Sequence, residues 1–210
     1  MERGLFISVE GIDGSGKTTQ IGLMKSYLEE KGYEVIVTRE PGGTSIGEKI
    51  RSILLDPQNS EMDQVTEMLL YASARAQIIH ELIKPAIDKG KIVICDRFLD
   101  SSYAYQGYGR GIDIELITRV NSVAVCGIMP DITFLFDIVP ETALKRRFAS
   151  STPDRIEREE LDFYTRVYNG YKELAALYPE RIKIISTDKS PEDVFSIVKR
   201  NLHHVLNSTL

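Results

Sequence analysis

The chain has 210 residues, 42% hydrophobic and 27% charged, a composition that suits a folded soluble domain with a sizeable core. Its formal net charge of -5 argues against a nucleic-acid-binding surface as the main function, so basic residues gathered at one site would serve a small anionic ligand. The two cysteines, Cys95 and Cys126, stand apart with no metal-ligand spacing, which disfavours a zinc centre and a disulfide framework.

Residues 1–10 carry Glu2, Arg3 and Glu10 within the first strand pattern, so no leader or spanning segment is expected and a cytoplasmic location follows. The first apolar run, Leu5–Val9, leads into Gly11-Ile12-Asp13-Gly14-Ser15-Gly16-Lys17-Thr18, a complete G-x-x-x-x-G-K-[ST] loop. Glycines there let successive N–H groups and a helix N-terminus face a polyphosphate, while the lysine reaches the β/γ-phosphates and the threonine hydroxyl can ligate Mg²⁺. A helix is predicted from near Thr19, with Ile21, Met24, Tyr27 and Leu28 on one face and Gly32 as its stop.

A second strand, Tyr33–Thr38, runs into Arg39-Glu40-Pro41-Gly42-Gly43-Thr44. A long helix follows, with Val65, Met68, Leu69, Ala76, Ile79 and Leu82–Ile83 inward, either closed by Pro85 or continuing past a kink to Gly90. The third strand, Lys91–Cys95, ends on Asp96-Arg97-Phe98. A helix from Asp113 is predicted to turn Leu116, Ile117, Val120 and Val123 inward. The fourth strand is Ile132–Asp137; a charge-rich stretch from Lys145 to Arg158 is interrupted by Ser150-Ser151-Thr152-Pro153. A stripe from Leu161 to Leu174, a fifth strand Arg181–Ser186, and a last helix capped at Ser190-Pro191 complete the chain.

Nearly continuous apolar strands separated by helices predict an α/β domain over residues 1–210, with a parallel sheet covered on both faces. In such sheets ligands sit outside the carboxyl ends of the strands. Those ends are polar here, and the second and third each present an arginine, which points to a second anion opposite the nucleotide. Asp96 is placed to hold Mg²⁺ or simply to end a strand. Arg97 offers a planar fork for phosphate. Arg39 offers the same, or a surface pair with Glu40. Tyr71 and Arg75, four apart, share a helical face where a flat base could stack and be hydrogen-bonded, or where a core tyrosine sits beside a snorkelling arginine. The 145–158 stretch reads as a basic flap over phosphates or as a solvated face. His80, His203 and His204 carry no suggestive partner.

Taken together, Glu10–Thr19, Thr38–Thr44, Asp96–Phe98, and Ser101–Ser102 with Ala104–Gly107 resemble the bacterial thymidylate kinase (dTMP kinase) family, over about residues 4 to 200. The resemblance implies a three-layer P-loop kinase fold with a five-stranded parallel sheet and a flap at about 146–156. It implies transfer of the ATP γ-phosphoryl to dTMP with Mg²⁺, no nucleic acid or membrane partner, and commonly a homodimer. ATP would lie on Gly11, Ile12, Asp13, Gly14, Ser15, Gly16, Lys17, Thr18 and Thr19, with Mg²⁺ on Thr18 and Asp96. Asp13 would approach the sugar 3′-hydroxyl, and Arg39, Arg51 and Arg97 would handle the acceptor phosphate, beside Glu40. Tyr71 would stack on thymine and Arg75 would hydrogen-bond it. Ser102, Tyr105 and Gln106 would line base and sugar. Lys17 and Arg97 would be catalytic, with a flap arginine, Arg147 or Arg155, completing the charge because Ile12-Asp13-Gly14-Ser15 contains no basic residue. Phe148–Pro153 lacks the arginines expected there.

Two other classes fit the loop. Another small P-loop kinase with a hydroxyl acceptor would want a carboxylate base, for which Asp96 or Glu40 could be nominated. A nucleotide-dependent switch would need other signals; Ser186–Lys189 lacks the Asn-Lys-x-Asp guanine motif.

Overall fold

A computed structural model describes residues 3–148 and 154–209; the side chains of Arg147 and Phe148 and the expected break at Ser150–Pro153 lie outside that description. Five strands, β1 (Phe6–Glu10), β2 (Val35–Arg39), β3 (Ile92–Asp96), β4 (Ile132–Asp137) and β5 (Ile182–Ser186), form one parallel sheet in the order β2-β3-β1-β4-β5. The five predicted runs therefore all become strands, each within two residues of its expected start. Register aligns the polar ends: Val9 pairs with Asp96, Arg39 with Asp96, and Asp137 with Ser186.

Alternation along β1 sends Leu5, Ile7 and Val9 to one face and Phe6, Ser8 and Glu10 to the other. The first face packs on Ile21, Met24 and Leu28 of α1 (Lys17–Glu30) and on Val198 and Leu202 of α9 (Pro191–Thr209). The opposite face is covered by α3 (Gln64–Ile78), a π-helical turn at Ile79–Ile83 and α4 (Lys84–Asp88), through Ile78, Ile83 and Ile87 against Phe6, Val93 and Cys95. The predicted long helix thus continues past its kink to the turn at Gly90. The distortion falls just before Pro85, which has no N–H to donate to the preceding turn. Towards β4, α8 (Leu161–Leu177) buries Phe163, Tyr164, Val167 and Tyr171.

Two inward stripes differ from expectation. On α6 (Ile114–Val125), Val123 is 82% exposed and Leu116 40%, while Ile117, Asn121, Ala124 and Val125 face in. On α3, Val65 and Leu69 are about half exposed and Glu67 and Arg75 are buried. The cause is a polar interior. Asn121 Oδ1 accepts from the buried Arg75 guanidinium and its Nδ2 donates to Ile117 O at 2.9 Å, so hydrogen bonding joins apolar burial in setting the rotation of both helices.

A second polar contact ties the short helix α5 (Leu99–Ser102) to the start of β5. Arg181 Nη1 and Nη2 reach the two oxygens of the buried Asp100 at 2.5 and 2.8 Å, and Nη1 also donates to Thr133 Oγ1. Removing one member strands the other charge in the interior, so Asp100→Ala is expected to cost about 3 kcal/mol of stability. Urea unfolding, with an unchanged m value, checks this.

Candidate active site at the carboxyl edge of the sheet

The loop after β1 wraps tightly. Gly14 lies at φ +86°, and a Cβ there would come within 2.3 Å of Ala143 O, so neither the backbone conformation nor the space admits a side chain. Helix α1 starts at Lys17, slightly earlier than predicted, so its first N–H groups face the loop's concavity. Lys17 Nζ donates to Gly11 O at 2.9 Å and Ile12 O at 3.1 Å, with Asp13 at 3.5 Å. Burial, with the nearby Arg97 charge, holds the Lys17 ammonium below the usual lysine range, against Asp13, Asp96 and Glu10.

Beyond β3 the chain turns at Arg97, which adopts φ +69°. A non-glycine residue in the left-handed region costs of order 1–3 kcal/mol and persists where its surroundings over-determine it. Here Arg97 N–H donates to Val9 O at 2.8 Å and Phe98 N–H donates to Glu10 Oε1 at 2.7 Å. Glu10 is fully buried and also accepts from Ser101 Oγ at 2.6 Å, Tyr171 OH at 2.9 Å and Ser8 Oγ at 3.2 Å. The turn directs Arg97 Nη2 to Asp13 Oδ1 at 2.7 Å and stacks its guanidinium over the Tyr105 ring at 5.2 Å. Burial pushes the Asp13 carboxyl up, but Arg97 and Lys17 outweigh it and leave it well below the usual carboxylate range.

A cavity of about 250 Å³ opens between these elements. Asp13, Arg39, Glu40, Arg51, Tyr71, Arg75, Asp96, Arg97, Ser102, Tyr105 and Gln106 all line it, so the sequence-predicted acceptor residues converge on one space. Arg39 donates to both Glu48 oxygens at 3.0 Å rather than to Glu40, and Arg51 Nη1 donates to Pro41 O at 2.9 Å. Arg75 is 1% exposed, with Nε on Glu40 Oε2 at 2.8 Å, Nη1 on Ser102 Oγ at 2.9 Å and on Asn121, and Nη2 on Phe98 O at 3.2 Å. It forms the cavity floor. Burial raises the Glu40 carboxyl above its ordinary range, with Arg75 pulling it back.

Arg155 stands apart from the predicted phosphate position: its Nε donates to Leu54 O at 2.7 Å and its Nη2 to Glu67 Oε2 at 2.6 Å. Arg147's side chain lies outside the described residues. Thr187–Ser190 follows β5, where Thr187 Oγ1 donates to Asp137 O at 3.0 Å.

Buried polar atoms without a partner among the described residues include Ser15 Oγ, Glu40 Oε1, Asp96 Oδ1 and Tyr105 OH. An unmet buried group costs about 1–3 kcal/mol. All four sit on the phosphate loop or the cavity wall, where a bound ligand can satisfy them. Asp96 Oδ1 with the Thr18 hydroxyl, at the first turn of α1, makes an all-oxygen donor set that fits a hard cation such as Mg²⁺.

Comparison with known proteins decides the lineage. The thymidylate kinase family model matches residues 9–198. The chain belongs to the thymidylate kinase family. A thymidylate kinase of Thermoanaerobacter sp. (strain X514) is 52% identical over 204 residues, spanning 95% of this chain and 100% of the relative. One from Caldanaerobacter subterraneus subsp. tengcongensis is 54% identical over 183 residues, 87% of each. The crystal structure of thymidylate kinase from Ehrlichia chaffeensis superposes with a TM-score of 0.79 at 38% identity, covering 96% of this chain and 99% of that one.

The sequence pattern places Glu10 in the first strand and in the thymidylate kinase motif and Tyr171 in the Leu161–Leu174 stripe, without a site role for either, and singles out neither Glu67 nor Asn121. One signal was available. Glu67, Tyr71 and Arg75 recur every four residues, a polar line on one face of α3.

Burial above all, then the Asp100 charge, raises Glu10 from 4.5 to about 6, against Ser101, Arg97 and Tyr171. Between those values the folded state binds more protons than the unfolded chain, so stability falls as pH rises from about 4.5 to about 6. The difference between those two values corresponds to about 2 kcal/mol. Glu10→Gln is expected to lack this slope, so the stability difference between parent and variant should narrow by about that amount from pH 4 to pH 7 in denaturant titrations.

Proposed function

We propose that this enzyme transfers the γ-phosphoryl group of ATP to dTMP, giving dTDP and ADP, in the cytoplasm and on the path to dTTP. The observation that carries the reading is one cavity joining a phosphate loop to three arginines and a base-sized recess floored by Arg75. Family membership supports the choice of dTMP as acceptor.

The attacking group is an oxygen of the acceptor phosphate, ionised near neutral pH, so the reaction needs no general base. What it needs is alignment of two mutually repelling anions and neutralisation of charge on the transferred group. Arg39, Arg51 and Arg97, all lining the cavity, supply positive charge to the acceptor phosphate. Lys17 serves the donor phosphates from the loop. Thr18 and Asp96 would hold Mg²⁺, which would neutralise charge on the donor phosphates. Tyr71 presents a ring to the base. Arg75, its donors engaged by Glu40, Ser102, Asn121 and Phe98, floors the recess, and Gln106 reaches the base's polar edge with its amide oxygen accepting from the imide N–H. The Tyr105 hydroxyl stands where a ribose 2′-hydroxyl would crowd it. Of the two flap arginines, Arg155 is engaged by Glu67, which favours Arg147 as the group that reaches the transferred phosphoryl.

Arg97→Ala is expected to lower kcat by about 10³-fold or more. Lys25→Ala, on the exposed outer face of α1 beside Glu29, should stay within about twofold. ADP release with dTMP as acceptor measures both, and equal activity of the two variants would overturn the assignment.

Homodimer formation is part of the same reading. The outward residues Leu69 and Val65 of α3 and Leu116 and Val123 of α6 form an exposed apolar face on adjacent helices, the kind of surface that a second copy covers. Val123→Glu is expected to shift the protein from dimer to monomer in analytical ultracentrifugation.

A further inference from the structure

We propose that Glu67 is a positioning residue that sets which end of the Gln106 amide faces the acceptor's base, and so makes the cavity select an imide base over cytosine. The proposal rests on the reading above that the base lies against Tyr71, Arg75 and Gln106.

Glu67 sits on α3 one turn before Tyr71 and is 1% exposed. Among the described residues every partner it has is a donor. Oε1 accepts from Gln106 Nε2 at 2.9 Å and Arg110 Nε at 3.2 Å; Oε2 accepts from Arg110 Nη2 at 3.1 Å and Arg155 Nη2 at 2.6 Å. Burial works against its charge, but Arg110, Gln106 and Arg155 prevail and hold it below the usual carboxylate range. It is therefore an ionised, acceptor-only group at neutral pH.

A primary amide has one donating and one accepting end. Because Glu67 can only accept, it takes the nitrogen of Gln106 and leaves the amide oxygen for the cavity that Gln106 lines. Gln106 is 2% exposed within a π-helical stretch, Tyr103–Gly109, and so has no room to swing into solvent. The Arg110 counter-charge is itself fixed by Glu159 and stacked 4.7 Å from the Phe163 ring. Thymine carries a donor at N3, whereas cytosine carries an acceptor there. An outward oxygen matches the first and leaves an acceptor facing an acceptor in the second; a reversed amide would invert that choice. Sites built around a hydrogen bond reject the mismatched base because a buried polar group is left unpaired.

The test is the ratio of kcat/KM for dTMP over dCMP, measured on one preparation so that the folded fraction cancels, in Gln106→Leu, Glu67→Gln and the double variant. Each single variant is expected to lower the ratio about tenfold or more, and the double variant no further than the singles, since Glu67 acts through Gln106. If Gln106→Leu lowers the ratio and Glu67→Gln depresses both acceptors equally, the role of Glu67 falls while the base site stands. If Gln106→Leu leaves the ratio unchanged, the placement of the base fails as well. A check that needs no Glu67 variant covers the case in which Glu67→Gln does not fold. In ¹⁵N-labelled parent protein the Gln106 side-chain NH₂, assigned by its loss in Gln106→Leu, should show a slowly exchanging proton; exchange as fast as that of free glutamine overturns the proposal.

Discussion

The carboxylate of Glu10 is the interaction on which the site depends. It ends the central strand, lies wholly inside the protein, and receives hydrogen bonds from Ser8, Phe98, Ser101 and Tyr171. These donors come from β1, the turn after β3, α5 and α8, so one buried acceptor draws four parts of the chain to the same edge. Its bond to Phe98 N–H holds the left-handed turn at Arg97, and that turn aims a guanidinium across the mouth of the phosphate loop. A buried anion with this many donors is costly to assemble but leaves little freedom in the groups around it.

The acidic chain handles a doubly anionic reaction by pairing its site cations in advance. Lys17 and Arg97 face Asp13, Arg39 faces Glu48, Arg75 faces Glu40, and Arg155 faces Glu67. A desolvated cation needs a counter-charge, so these partners keep the arginines ordered and pointed. The pairings differ in burial, and that difference sorts their uses. Arg39 and Glu48 are about half exposed and can exchange partners at small cost. Arg75 and Glu40 are almost completely buried and serve as fixed architecture in the wall of the cavity. On the function proposed above, base selection falls to groups that cannot move and phosphate capture to groups that can.

The fold was legible because parallel strands buried on both faces read as apolar runs and their glycine and proline punctuation is local. The phosphate loop, Arg39, Asp96 and Arg97 were legible for the same reason: each lies within a few residues of a strand end. The inward faces of α3 and α6 were not. There Met68 and Ile117 face in as expected, but an arginine, a glutamate and an asparagine share the interior and leave Val65, Leu69, Leu116 and Val123 outward, which hydrophobic periodicity cannot foresee.

By itself the sequence determined the order of elements, the polyphosphate loop and the clustering of arginines at one sheet edge, since those features depend on contiguous residues and a short-range rule about strand ends. Only the tertiary structure decided that Arg75 is a buried floor, that Arg155 is held by Glu67, and that Glu10 governs the Arg97 turn. Each of those depends on partners 35, 88 and 88 positions away, a separation that the pairing of β3 beside β1 and the packing of α3 over that part of the sheet help to close. No local pattern encodes such distances, because hydrogen bonding in a water-poor interior selects partners by position in space.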